Sequence, residues 1–102
     1  MKIFWTSAAD DDRHAIWYWN MNFGMEEAIR IDRLIEKAVA ILTRSPYSGN
    51  AGRYPGTFEL TLEPTLRVIY ILRTDGIFML SVMHAAFALS DIDDPRLSRR
   101  SE

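Results

Sequence analysis

Apolar residues recur along this chain with two different periods, and the change from one to the other falls in its middle. Residues 2–5 are short, apolar and aromatic, the mark of a strand. Thr6 or Ser7 then stands where a helix N-cap belongs, with Asp10, Asp11 and Asp12 near the positive end of the helix dipole. Ala9, Asp12, Ile16, Trp19 and Phe23 follow at helical spacing, which predicts a first helix with its core face on Ile16, Trp19 and Phe23 and its end at Phe23-Gly24. The second helix is the strongest local signal. From Met25 to about Arg44, Ala28, Ile31, Ile35, Ala38 and Leu42 recur in steps of three and four, flanked by Leu34 and Ile41. Glu26, Glu27, Arg30, Arg33, Glu36 and Lys37 take the other side, with Glu26 and Arg30 at the i,i+4 spacing that favours an ion pair. So short a break between two helices implies an antiparallel helical hairpin.

Residues 45–56, rich in Pro, Gly, Ser and Asn, are a loop long enough to be functional. After it the period drops to two. Phe58, Leu60 and Leu62 alternate with Thr57, Glu59, Thr61 and Glu63, giving a strand with one dry face and one wet one. Pro64-Thr65 turns the chain into Leu66–Arg73, apolar on both faces and so a central strand. Thr74-Asp75-Gly76 is a hairpin turn and residues 77–83 the last strand. The expected fold is α+β: an N-terminal strand, a helical hairpin and a three-stranded antiparallel meander, β-α-α-β-β-β. Residues 1–90 form the single domain, and 91–102, acidic and then basic, a charged tail.

Composition narrows the chemistry. Among 102 residues there is no cysteine, which removes disulfides, thiolate metal sites and thiol nucleophiles together. No apolar run approaches the length of a membrane span and the N-terminus turns acidic at once, so the cytoplasm is the expected location. The net charge of −2 speaks against binding nucleic acid by its backbone, which calls for a basic excess.

Several residues are familiar as an ordered set. Trp5-Thr6, Asp12-Arg13 and Ile16 open the chain; a long amphipathic helix follows, then Leu42 ahead of Pro46 and Gly49. Arg53, Pro55-Gly56-Thr57 and Glu59-Leu60 come next, then Val68-Ile69-Tyr70 and the run from Leu80 through His84 to Ala86. From about residue 3 to 87 this resembles the RelE/ParE superfamily of type II toxin–antitoxin toxins, the plasmid-stabilisation type. The resemblance implies a toxin that arrests growth and is neutralised by a cognate antitoxin, in a homodimer or a toxin–antitoxin hetero-oligomer. ParE-like members act by binding DNA gyrase, whereas RelE-like members cut mRNA at the ribosome. The chain departs from the common pattern at Phe58, where Arg is usual, and at Phe87, where Arg or Gln is usual.

RNA cleavage needs a base, an acid and cations around one phosphodiester. Glu59 would be the base and His84 the acid, with Arg53 and Arg67 on phosphate and Tyr54 or Tyr70 stacking on a base. The plainer reading makes Glu59 the solvated member of an alternating strand and His84 a residue at the end of the sheet. Ser81 and His84, three apart on a strand, point to opposite faces and cannot meet without a bulge, so a serine hydrolase is not expected. His84 with Asp91, Asp93 and Asp94 makes a poor metal site, since the other histidine, His14, lies on a different element. No metal and no cofactor is expected. Arg44, Arg53, Arg67 and Arg73 are either a cationic docking surface or the ordinary solvated charges of a sheet.

Trp17, Tyr18 and Met21 lie off the predicted core face of the first helix and form a second stripe. Exposed aromatic clusters mark interfaces, so this stripe is expected to contact the antitoxin or a second toxin copy. Packing of Trp17 against the second helix or the N-terminal strand is the competing expectation. The acidic pI of 5.6 and the incomplete acid–base set favour ParE-like inhibition by binding. A metal-independent endoribonuclease, or a non-toxic member that only binds antitoxin, are the alternatives.

Overall fold

Thr6 starts the first helix and ties it to the sheet at the same time. Its hydroxyl accepts the Ala9 N–H at 3.2 Å and donates to the Met79 carbonyl at 2.8 Å. In the computed structural model, which describes residues 1–84, the order is β1 (Ile3–Trp5), α1 (Ser7–Asn20), α2 (Met25–Arg44), β2 (Asn50–Ala51), β3 (Phe58–Glu63), β4 (Leu66–Arg73) and β5 (Gly76–His84). A single 3-10 turn, Met21–Phe23, joins the helices, and Gly24 enters α2 at φ 106°, a conformation that costs glycine little. The expected helical hairpin and antiparallel meander are therefore present.

The sheet has five strands in the order β1-β5-β4-β3-β2. Three pairings are antiparallel, but β1 runs parallel to β5, so the sheet is mixed. The 45–56 loop contributes the two-residue β2, which its Pro-Gly-Ser-Asn composition concealed. At the other side Gly76 accepts β1 closely. A Cβ there would lie 2.6 Å from the Lys2 carbonyl oxygen and 2.7 Å from the Phe4 ring.

One core lies between the helices and the sheet. From α2 it takes Ile31, Ile35, Ala38 and Leu42, from α1 Ala9 and Ile16, and from the strands Leu66, Val68, Tyr70, Ile77, Met79 and Val82. Phe58, Leu60 and Leu62 close it from β3, on the dry face that their alternation predicts. The opposite face of the sheet carries a smaller cluster, Ile69 and Leu80 with Tyr54, Ile71, Phe78 and Met83. A β-bulge in β5 lets Tyr70 pair with Met79 while Ile69 pairs with Ser81.

Two sequence expectations for the helices fail. Trp19 and Phe23 do not join the core; they are 42% and 66% exposed. For Phe23 the cause is where the helix stops. Asn20 is buried, its amide donating to the Ile16 carbonyl at 2.8 Å, and the tighter turn that follows swings Phe23 away from the sheet. The ion pair expected between Glu26 and Arg30 also gives way. Arg30 binds Glu27 through two nitrogens, at 2.8 and 2.9 Å, and Glu63 of β3 through a third at 2.7 Å. That three-way contact ties α2 to the sheet, which an i,i+4 pair does not.

Candidate functional site

Cross-strand partners share a face of the sheet, so the pairing places each candidate. Glu59 is paired with Ile69, a member of the outer cluster, and therefore projects away from the helices. There its carboxylate accepts the Arg53 backbone N–H at 3.1 Å and lies 3.4 Å from Nε of Arg67. Arg67 also reaches Met83 Sδ at 3.8 Å. Glu59 and Arg67 thus meet on the outer face, beside the backbone of Arg53. Tyr54 borders them, its carbonyl accepting both the N–H and the hydroxyl of Thr57. Arg44 and Arg73 do not belong to this group, since one ends α2 and the other ends β4.

His84 lies on the other side. Its partner is Leu66, buried in the core under the helices, and its electrostatic neighbours are Glu63 and Glu27. Burial holds the imidazole below its ordinary value, and the two carboxylates pull the opposite way. Glu59 and His84, expected to work together, are separated by the sheet itself. Ser81 does not approach His84 either: its hydroxyl donates to Asp12 at 2.8 Å.

Tyr70 is not available to stack on a base, because it is completely buried. Its phenol accepts the Gly49 N–H at 3.0 Å and donates to the Pro46 carbonyl at 2.9 Å, clamping the 45–56 loop onto the sheet. Desolvation pushes that phenol above its ordinary value. Phe58 stacks on Tyr70 with 5.5 Å between centroids and belongs to the inner face, so its replacement of the usual Arg leaves the outer face unchanged. Phe87, the 91–102 tail, its carboxylates and the domain boundary at 90 lie outside the described residues.

Two contacts escaped the sequence reading. Asp12, set among apolar positions of α1, accepts both the Ser81 hydroxyl and the Val82 N–H, at 2.8 and 2.9 Å, and so pins the helix to β5 just beyond the bulge. Its spacing with Ala9 and Ile16 carried the signal, since a carboxylate on a buried face has to find donors. Arg13 forms a bidentate pair with Asp32 of α2 at 2.7 and 2.9 Å and lies 5.2 Å over the Trp5 ring. The bond to Asp32 raises the guanidinium above its ordinary value. Nothing in the linear sequence signals a partner nineteen residues away.

Of the proposed interface residues, Tyr18 is 71% exposed and Met21 is exposed, while Trp17 is half-buried. The two misplaced apolar residues join them outside, Trp19 lying edge-on to Phe23 with centroids 6.2 Å apart. Among the described residues no helix is long and apolar enough to cross a membrane.

A helical hairpin packed on one face of a five-stranded mixed sheet, with charged residues gathered on the other, defines the architecture of a small toxin of the RelE/ParE type. The sequence matches the model of the ParE toxin of type II toxin–antitoxin system, parDE, over residues 3–89, and the chain belongs to that family. Among solved structures it is similar to a chain of the "Chromosomal ParDE TA system from P. aeruginosa". The two share 25% identity and a TM-score of 0.75, over 82% of this chain and 95% of that one. It is also similar in fold to the "YoeB/ParE toxin from Agrobacterium tumefaciens", at 17% identity and a TM-score of 0.60, over 82% and 98% of the two chains. No curated protein sequence matches the chain.

Proposed function

We propose that the chain is the growth-arresting half of a toxin–antitoxin pair, that it acts by binding a macromolecular target such as DNA gyrase, and that a cognate antitoxin neutralises it. The separation of Glu59 from His84 carries the choice of binding over RNA cleavage. General acid and general base must both reach one scissile phosphodiester. Side chains on opposite faces of a sheet project away from each other and cannot do so. The proximity of Glu59 to Arg67 supports the same choice, because it sets a negative charge beside the group that would hold phosphate. Family membership and the likeness to a ParDE system support the antitoxin as partner.

Expression of the chain alone should stop growth, and purified protein should inhibit supercoiling by gyrase. Primer extension on mRNA from the arrested cells should show no new cleavage. Cleavage that disappears in Glu59→Gln would replace this reading with a RelE-like ribonuclease. Normal growth at high expression would leave a non-toxic member that only binds antitoxin.

A further inference from the structure

The ends of three segments enclose a cleft that the toxin reading does not use. Met1 ahead of β1, Pro46 and Tyr47 after α2, and Leu72, Arg73 and Thr74 at the turn between β4 and β5 line a cavity of about 530 Å³. That size suits a small molecule, as does an apolar lining with a few polar groups. The chain has a net charge of −2, yet among the described residues one arginine and no acid line this cleft. Arg73 is exposed and makes no ion pair with any described residue. Tyr47 is 77% exposed but held in place. Its ring lies edge-on to Phe58 with centroids 6.2 Å apart, and Phe58 stacks on the buried Tyr70. The phenol of Tyr70 in turn binds the carbonyl of Pro46, next to Tyr47 in the chain.

We infer that this cleft binds a mononucleotide, with the base against the Tyr47 ring and the phosphate on Arg73. Every base has a flat face that stacks on an aromatic ring, and a guanidinium pairs with phosphate through two parallel N–H donors. Thr74, beside Arg73 in the lining, adds a hydroxyl. Contacts through Phe58 and Tyr70 fix the Tyr47 ring beforehand, so stacking on it costs little freedom. Charge chooses a single nucleotide over a strand. A polymer is held by a row of cations along its backbone, and the one arginine of the lining answers one phosphate. The inference does not depend on the toxin reading.

The test titrates the full chain with adenosine monophosphate, adenosine, inorganic phosphate and a single-stranded oligonucleotide of about eight nucleotides. Calorimetry and the NMR signals of the Tyr47 ring report binding. Adenosine monophosphate should bind and shift the ring signals, adenosine should bind about threefold more weakly, and inorganic phosphate should leave the ring signals unmoved. Tyr47→Ala should weaken binding of adenosine monophosphate about tenfold. Arg73→Gln should weaken it about threefold and abolish its advantage over adenosine. Both side chains lie outside the core, so unchanged thermal unfolding of the variants would show that the fold survives. Four outcomes overturn the inference: adenosine monophosphate does not bind, Tyr47→Ala binds it as the native chain does, inorganic phosphate binds equally well, or the oligonucleotide binds more tightly with an affinity that falls steeply as salt rises. The last would make the cleft part of a nucleic-acid surface instead.

Discussion

The two helices sit side by side on one sheet but divide their surfaces differently. α2 turns Ala28, Ile31, Ile35, Ala38 and Leu42 inward, and what it leaves outside is mostly charged. α1 buries only Ala9, Ile16 and Asn20, pins itself with Asp12, and leaves Tyr18 and Trp19 in solvent. α2 is thus held by apolar burial along its whole length. α1 is held at a few points, by the Thr6 cap, the Asp12 contacts and the Arg13–Asp32 pair. One helix is spent on stability, and the other leaves aromatic surface exposed.

Substitutions can break or sharpen that contrast. Leu42→Ala, at a site with no exposure, should cost about 3 kcal/mol in urea unfolding, from lost transfer energy and the cavity left behind. Asp12→Ala should cost about 2 kcal/mol, because it strands the Ser81 hydroxyl and the Val82 N–H. A loss as small as that of a surface change would mean that α1 is not pinned to β5. Tyr70→Phe keeps the stack on Phe58 but removes the clamp on Pro46 and Gly49. It should cost about 1 kcal/mol and speed proteolysis within residues 45–56.

His84 gives a smaller effect that depends on pH. Burial depresses its folded value below the ordinary 6.5, so the unfolded chain takes up this proton first as pH falls. The stability it contributes is complete above 6.5 and is lost as pH drops from there through the lower folded value. Stability measured across that window should decline in the native chain and stay flatter in His84→Gln. The smallest change is expected of Trp19→Ser with Phe23→Ser, within about 0.5 kcal/mol of the native chain. A large loss there would mean that the tip of the hairpin belongs to the core after all.

The candidate site was less legible than the fold, for reasons visible in single residues. Glu59 alternates with Phe58 and Leu60, so its place on the wet face could be read directly. The matching statement for His84 needed the register of β5 against β4 and the bulge between them, and neither leaves a mark in the sequence. Tyr70 reads equally well as a recognition residue or as core. Only the fold of the 45–56 loop over it shows that it is packed inside.

The chain alone determined what is local and periodic: the rod of α2, the alternating β3, the meander through β4 and β5, and the helical hairpin that two adjacent helical patterns require. These follow because side-chain direction repeats every 3.6 or every 2 residues, and burial rewards whichever period the apolar residues keep. Tertiary structure decided the parallel seat of β1 on β5, the partners of Asp12 and Arg13, the parting of Glu59 from His84, and the exposure of Trp19 and Phe23. Each of these depends on atoms far apart in sequence, or on where a helix ends, and a one-dimensional period carries neither.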